Sequence, residues 1–164
     1  MVSTDSTMSL EHHAHGFRFN EKVLGGVTSG LEGEDWLRRA CPEASHAYWV
    51  LGHLAISRRS LLRGLGKDIP QEPWEASFAR GSKPVQELSV APSVLAEDFL
   101  SSGKLLQDLL GSLDEKEASS PYVRKLPDGA QTKAEAARFY LWHESYHLGQ
   151  LGILRRICGK PGLA

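Results

Sequence analysis

The pentapeptide His143-Glu144-Ser145-Tyr146-His147 fits the pattern H-E-x-x-H. On a helix this spacing sets two imidazoles about 40° apart on one face, so that their nitrogens can converge on a single ion. Zinc held in this way needs at least one further protein ligand. In the proteases that share the motif, that ligand is a downstream Glu, Asp or His. The seventeen residues after His147, LGQLGILRRICGKPGLA, contain none of the three. The extended form H-E-x-x-H-x-x-G-x-x-H fails as well, because Gln150 and Ile153 stand where its glycine and last histidine belong. Upstream, His53 in WVLGHLA is the candidate, and the sharper reading is a metal site of three helical histidines: His53, His143 and His147.

Other residues near these carry two readings each. His143 and His147 can be core histidines satisfied by hydrogen bonds, although two on one seam together with His53 favour a metal. Glu144 can be a general base beside a metal-bound water, or a solvated or supporting carboxylate. It projects about 100° from His143 and about 60° from His147 around the axis, which favours the supporting role. Gln150 lies on the histidine seam and can hold a ligand or the crossover backbone by hydrogen bonds, with packing as the alternative. Trp49, with Trp74, Phe78 and Trp142, can line a pocket mouth or fill the core. His46 precedes His53 by seven residues, about 10 Å along a helix, too far to share an ion and better suited to a helix start. The tract His12, His13 and His15 can bind metal adventitiously or dock loosely at the terminus.

The elements that must position these groups are helices. Ala136, Tyr140, His143, His147, Gln150, Leu154 and Ile157 recur at alternating steps of four and three, which turns both motif histidines inward. This segment of about 26 residues opens on the capping box Thr132-Lys133-Ala134-Glu135 and closes at Cys158-Gly159-Lys160-Pro161. A second segment, Ser45 to Leu65, carries Ala47, Val50, Leu51, Leu54, Leu61, Leu62 and Leu65 as one apolar stripe, with Gly66 as its stop. A third begins at a Ser93 cap, carries Leu95, Phe99, Leu106, Leu109, Leu110 and Leu113, and ends near Ser112 to Glu115. The first, Phe17 to Leu31, is weakened by Gly25 and Gly26. Between the second and third helices lies GKDIPQEPWEASFARGSKPVQELSVA, too long and too rich in Pro and Gly for a tight turn. It can carry the chain the length of a bundle and leave those helices parallel. The expected fold is all-α, with residues 1–16 a flexible segment and 17–164 one four-helix bundle domain.

Composition excludes several partners. The chain has 164 residues, 41% hydrophobic and 24% charged, which is ordinary for one globular domain. With 19 basic against 20 acidic side chains, no summed positive field holds nucleic acid or an anionic membrane. No apolar run is long enough to span a bilayer, and MVSTDSTMSLEHHAHG has neither a basic nor an apolar signal region, so a cytoplasmic location is expected. Cys41 and Cys158 are far apart and form no C-x-x-C pair, so reduced thiols are expected.

Through YWVLGHLAISRRSLLRGLG, WEASFARGSKP and HESYHLGQLGILRRICGKPG, the chain resembles the DinB-like superfamily of small bacterial four-helix proteins, from about Phe17 to Gly162. The resemblance implies an up-down-down-up bundle with a long crossover between helices two and three. It also implies a divalent metal, with zinc or nickel foremost, on His53, His143 and His147, the three histidines that the spacing already points to. Characterised members include transferases and isomerases that use bacillithiol, mycothiol or glutathione, so a low-molecular-weight thiol is the implied cosubstrate of a small-molecule reaction. Arg58, Arg59, Arg155 and Arg156 can bind the carboxylate of such a thiol, or simply face solvent. Two other functions stay open: hydrolysis by a metal-bound water, and a non-catalytic bundle stabilised by its ion. Apolar helical faces on so small a bundle, together with the behaviour of similar proteins, imply a homodimer.

Overall fold

The computed structural model describes residues 5–163. Its long helices are α1 (Asp5–Thr28), α2 (Ala47–Gly64), α3 (Pro92–Ser112) and α5 (Lys133–Ile157), with the single turn α4 (Glu115–Ala118) in the last connection. Short 3-10 turns lie at Gly33–Leu37 and Pro73–Phe78, the second inside the crossover. The described residues contain one isolated bridge, Pro121 to Thr132, and no other strand pairing.

Local chemistry explains the helix ends. His46 is the N-cap of α2, its Nδ1 accepting from the Trp49 backbone N–H at 3.0 Å. Thr132 and Glu135 close the capping box on α5 as its sequence requires. Two expectations need correction. The N-cap of α3 is Ala91, with no side-chain cap, and Ser93 lies within the first turn. Pro92 sets this start, since its fixed φ and missing N–H suit the first helical position. The first helix also begins at Asp5 rather than near Phe17, and Leu10 in its first half is buried in the core. Leu10, Phe17, Leu24 and Leu31 recur every seven residues and are all buried, a stripe that the polar run around His12 and His13 conceals. Residues 1–4 and 164 lie outside the described residues.

Each long helix packs on two neighbours, in the cyclic order α1, α3, α2, α5. The Tyr48 hydroxyl accepts from the Val90 N–H, and further along Arg59 reaches Asp98, so α2 and α3 run parallel. Asn20 meets Glu144 and, further along, Val27 lies near Gly152, so α1 and α5 are parallel too. His53 beside His147 and Arg58 beside Glu144 make α2 and α5 antiparallel. The all-helical bundle expected from the sequence is present, with the crossover of residues 65–91 joining the parallel pair α2 and α3.

Two apolar clusters fill the interior. One gathers Leu24, Val27, Tyr48, Leu51, Phe78, Leu95, Phe99 and Leu151; the other gathers Leu10, Phe17, Leu61, Leu106, Leu110, Ala136 and Tyr140. Between them along α2 and α5 sits Arg58, buried with all five N–H donors used. Its Nε reaches Glu144 at 2.6 Å and its Nη2 reaches the second oxygen of Glu144 at 3.0 Å. The remaining donors go to Glu21 and to the carbonyls of Phe99 and Phe17. One guanidinium thereby ties together α1, α2, α3 and α5. Gly103 makes room for it, because a Cβ there would lie 1.9 Å from Arg58 Nη1.

The crossover is fastened by ion pairs and by one close approach. Glu75 accepts from Arg59 Nε at 2.8 Å and from Arg63 Nη2 at 2.7 Å. Phe78 lies on Gly52 of α2, where a Cβ would stand 2.3 Å from the ring. Both cysteines are free thiols. No helix among the described residues is long and apolar enough to cross a membrane.

Candidate metal centre

The contact between Gly52 and Phe78 determines the next residue's surroundings. It brings the Phe78 carbonyl 2.8 Å from His53 Nδ1, which donates to it, so the His53 Nε2 carries a lone pair. On α5, His147 Nδ1 is 2.7 Å from Gln150 Oε1 and donates likewise, leaving its Nε2 as an acceptor. His143 Nε2 stands 3.2 Å from His53 Nε2 and 3.1 Å from His147 Nε2. A proton on His143 could serve only one of those two acceptors, whereas a cation among the three rings serves all of them. Ligand atoms of the three residues all lie within 4.8 Å of one another. A tetrahedral zinc with Zn–N bonds of 2.0–2.1 Å separates its nitrogens by about 3.3 Å, close to the two spacings from His143 to its neighbours. The donor set therefore fits a divalent ion of the kind that imidazole prefers.

Electrostatics point the same way. Burial pushes all three imidazoles below their ordinary pKa, His143 to about 3 and His147 to about 4. For His143, the neighbouring His147 and His53 add to the effect of burial. Neutral imidazole is the metal-ligating form. The ring of Trp49 stacks on His53 at 4.7 Å and 9°, and its Nε1–H donates to Ser82 Oγ at 2.9 Å, so Trp49 supports that histidine from the side. His143 packs between Phe139 and Tyr140, and its Nδ1 is buried without a hydrogen-bond partner.

The three rings line a cavity of about 710 Å³ whose walls include Trp49, Phe139, Trp142 and Tyr146. That size suits a small organic ligand. Its lining includes Arg80 and Lys125 and no carboxylate.

Glu144 does not share this cavity. It is 1% exposed, faces Arg58, and also accepts from Asn20 Nδ2 at 3.1 Å. Burial raises the pKa of its carboxyl, while Arg58 pulls it back down. Of its two sequence readings, the supporting one describes its surroundings, since both oxygens are engaged away from the histidines. Arg58 and Arg59 are likewise neither solvated nor free for a ligand, contrary to both readings of those residues, because carboxylates from neighbouring elements hold them in the interior. Arg155 donates to the backbone of Pro161 and Ser29. His46 stays outside the cluster as the cap of α2, and its Nε2 donates to the Val85 carbonyl at 2.6 Å. The N-terminal tract forms no metal-ligating group among the described residues.

Sequence reasoning missed the Phe78 carbonyl and the pair Arg80 and Lys125. Gly52 beside His53 was the available signal for the first, since a glycine inside a strong helix marks a close approach. No curated protein matches the sequence. The family model of the DinB superfamily matches residues 17–151, a span that contains His53, His143 and His147 and leaves out only the first half of α1 and the last turns of α5, and the chain accordingly belongs to the DinB superfamily.

Proposed function

We propose that this protein is a metal-dependent enzyme that activates a low-molecular-weight thiol, of the S-transferase or isomerase type, at His53, His143 and His147. The observation that carries the reading is the meeting of three neutral imidazoles in the wall of an open cavity of about 710 Å³. Three histidines hold a divalent ion, zinc or nickel, and leave a coordination position for a small molecule. When bound there, such an ion supplies the positive charge that lets a thiol lose its proton near neutral pH. The chain's own contribution is positional. Phe78 and Gln150 fix the tautomers of His53 and His147. Trp49 keeps the His53 ring in place, and the aromatic walls shield the sulfur from water and orient the electrophile.

Hydrolysis with Glu144 as base is the weaker reading, because Arg58 and Asn20 occupy both carboxylate oxygens. We place the protein in the cytoplasm, in keeping with its free thiols, and as a homodimer through the apolar groove between α1 and α5, where Phe19 and Ile153 are exposed. Light scattering at micromolar concentration checks the dimer; a species of 18.1 kDa alone contradicts it.

The catalytic reading is tested by loading the protein with zinc or nickel and following thiol consumption against a panel of electrophiles. Thioether formation or isomerisation that needs both ion and thiol is the expected result. Cleavage of peptides by the loaded protein, abolished in Glu144→Gln with the ion retained, would replace thiol transfer by hydrolysis.

A further inference from the structure

The cationic side chains of the histidine cavity form a pair that the thiol reading does not use. Arg80 follows the 3-10 turn of the crossover, and Lys125 lies in the connection between α4 and α5. Separate contacts bring their two segments to one cavity. Phe78 seats the crossover on Gly52, while the Tyr122 N–H donates to the Gln131 carbonyl at 2.7 Å and folds the second segment back. Four arginines near these segments are committed elsewhere: Arg59 and Arg63 to Glu75, Arg138 to Asp128 at 3.3 Å, and Arg124 to Ser60. Arg80 and Lys125 take no carboxylate partner among the described residues, and no Asp or Glu lines the cavity.

A ligand without negative charge would leave both cations of the lining without an anionic partner, with a bound divalent ion adding further positive charge. An anion relieves this, and a guanidinium with an ammonium matches the oxygens of a carboxylate. The lining that these cations and the histidines share also carries the aromatic rings of Phe139, Trp142 and Tyr146. We propose that Arg80 and Lys125 form a carboxylate clamp at the mouth of this cavity, so that the ligand is a small organic acid whose apolar body lies along the aromatic wall and whose far end reaches the three histidines. The clamp deepens the thiol reading and rests on the same cavity, since it requires the thiol or its electrophile to be an acid.

The test needs neither metal nor thiol. The full chain is stripped of ions with a chelator, and the fluorescence of Trp49 and Trp142 is followed during titration with phenylacetate, phenylethanol and phenylethylamine. These probes share a ring and differ in charge. Phenylacetate should bind roughly tenfold more tightly than phenylethanol, with phenylethylamine weakest, and added salt should narrow the difference. In the double variant Arg80→Gln, Lys125→Gln the acid and the alcohol should bind alike, with an unchanged melting temperature, because both side chains are exposed. Equal binding of acid and alcohol to the native chain, no saturable response to any probe, or an acid preference that survives in the double variant would each overturn the clamp. Failure of the metal and thiol reading appears elsewhere, in ion content and turnover, so the two outcomes are separable.

Discussion

Glu144 sits between two histidines in sequence and shares nothing with them in space. Its neighbours at 143 and 147 turn their rings into a cavity, while its own carboxylate enters the core and meets Arg58 at 2.6 Å. The helical step of 100° per residue separates these roles. It follows that Glu144→Gln should act on stability. Removing one partner of a buried ion pair costs about 3–5 kcal/mol, because the charge left behind has no compensation. Arg58, whose side chain is fully buried, would keep only Glu21 as an anionic contact. Chemical denaturation should therefore show a large loss for Glu144→Gln, while the folded variant still binds its ion. A variant of native stability that has lost the ion would instead place Glu144 in the metal site.

Single positions with little side chain govern how the helices present these residues. At Gly52, a methyl group would stand 2.3 Å from the Phe78 ring. Gly52→Ala should push the crossover away, destabilise by about 1–3 kcal/mol as overpacking does, and take the Phe78 carbonyl away from His53. A chelator competition should then show weaker ion binding, and unchanged binding would mean that the carbonyl does not position His53. At the start of α2, His46 caps the helix through an unprotonated Nδ1, and burial lowers its pKa from the ordinary 6.5. Its folded pKa lies below the unfolded value, so the unfolded chain takes up the proton first. The stabilising neutral form is complete above pH 6.5 and its contribution is lost as pH falls toward the folded pKa. His46→Asn keeps a cap acceptor and cannot titrate in this range. The metal-free variant should lose less stability than the native chain on acidification below that pH, as read from urea midpoints; parallel curves would remove His46 from the acid response. Helix periodicity made α2, α3 and α5 legible, along with the capping box of α5. The start of α1 was hidden because a seven-residue apolar spacing is sparse among polar neighbours. The start of α3 was misplaced because serine is a better cap by type than alanine, whereas Pro92 fixes the turn by its backbone.

At the scale of the molecule, one guanidinium and one crossover do most of the arranging. Arg58 joins the four long helices, and the crossover lines one side of the cavity with Ala79 and Arg80. The three histidines were legible because their spacing on two helices restricts them to inward faces. The backbone carbonyl, the paired cations and the buried role of Arg58 were not, because each depends on a long-range contact that no local pattern records. The proposed activity requires His53, His143 and His147 to hold one ion together. The most direct measurement is the metal content of protein purified without a nickel column, for the native chain and for His53→Ala, His143→Ala and His46→Ala. We predict one ion per native chain, its loss in the first two variants, and its retention in His46→Ala, whose ring lies outside the cluster. Equal metal content in all three variants, or none in the native chain after incubation with zinc and with nickel, would contradict the account.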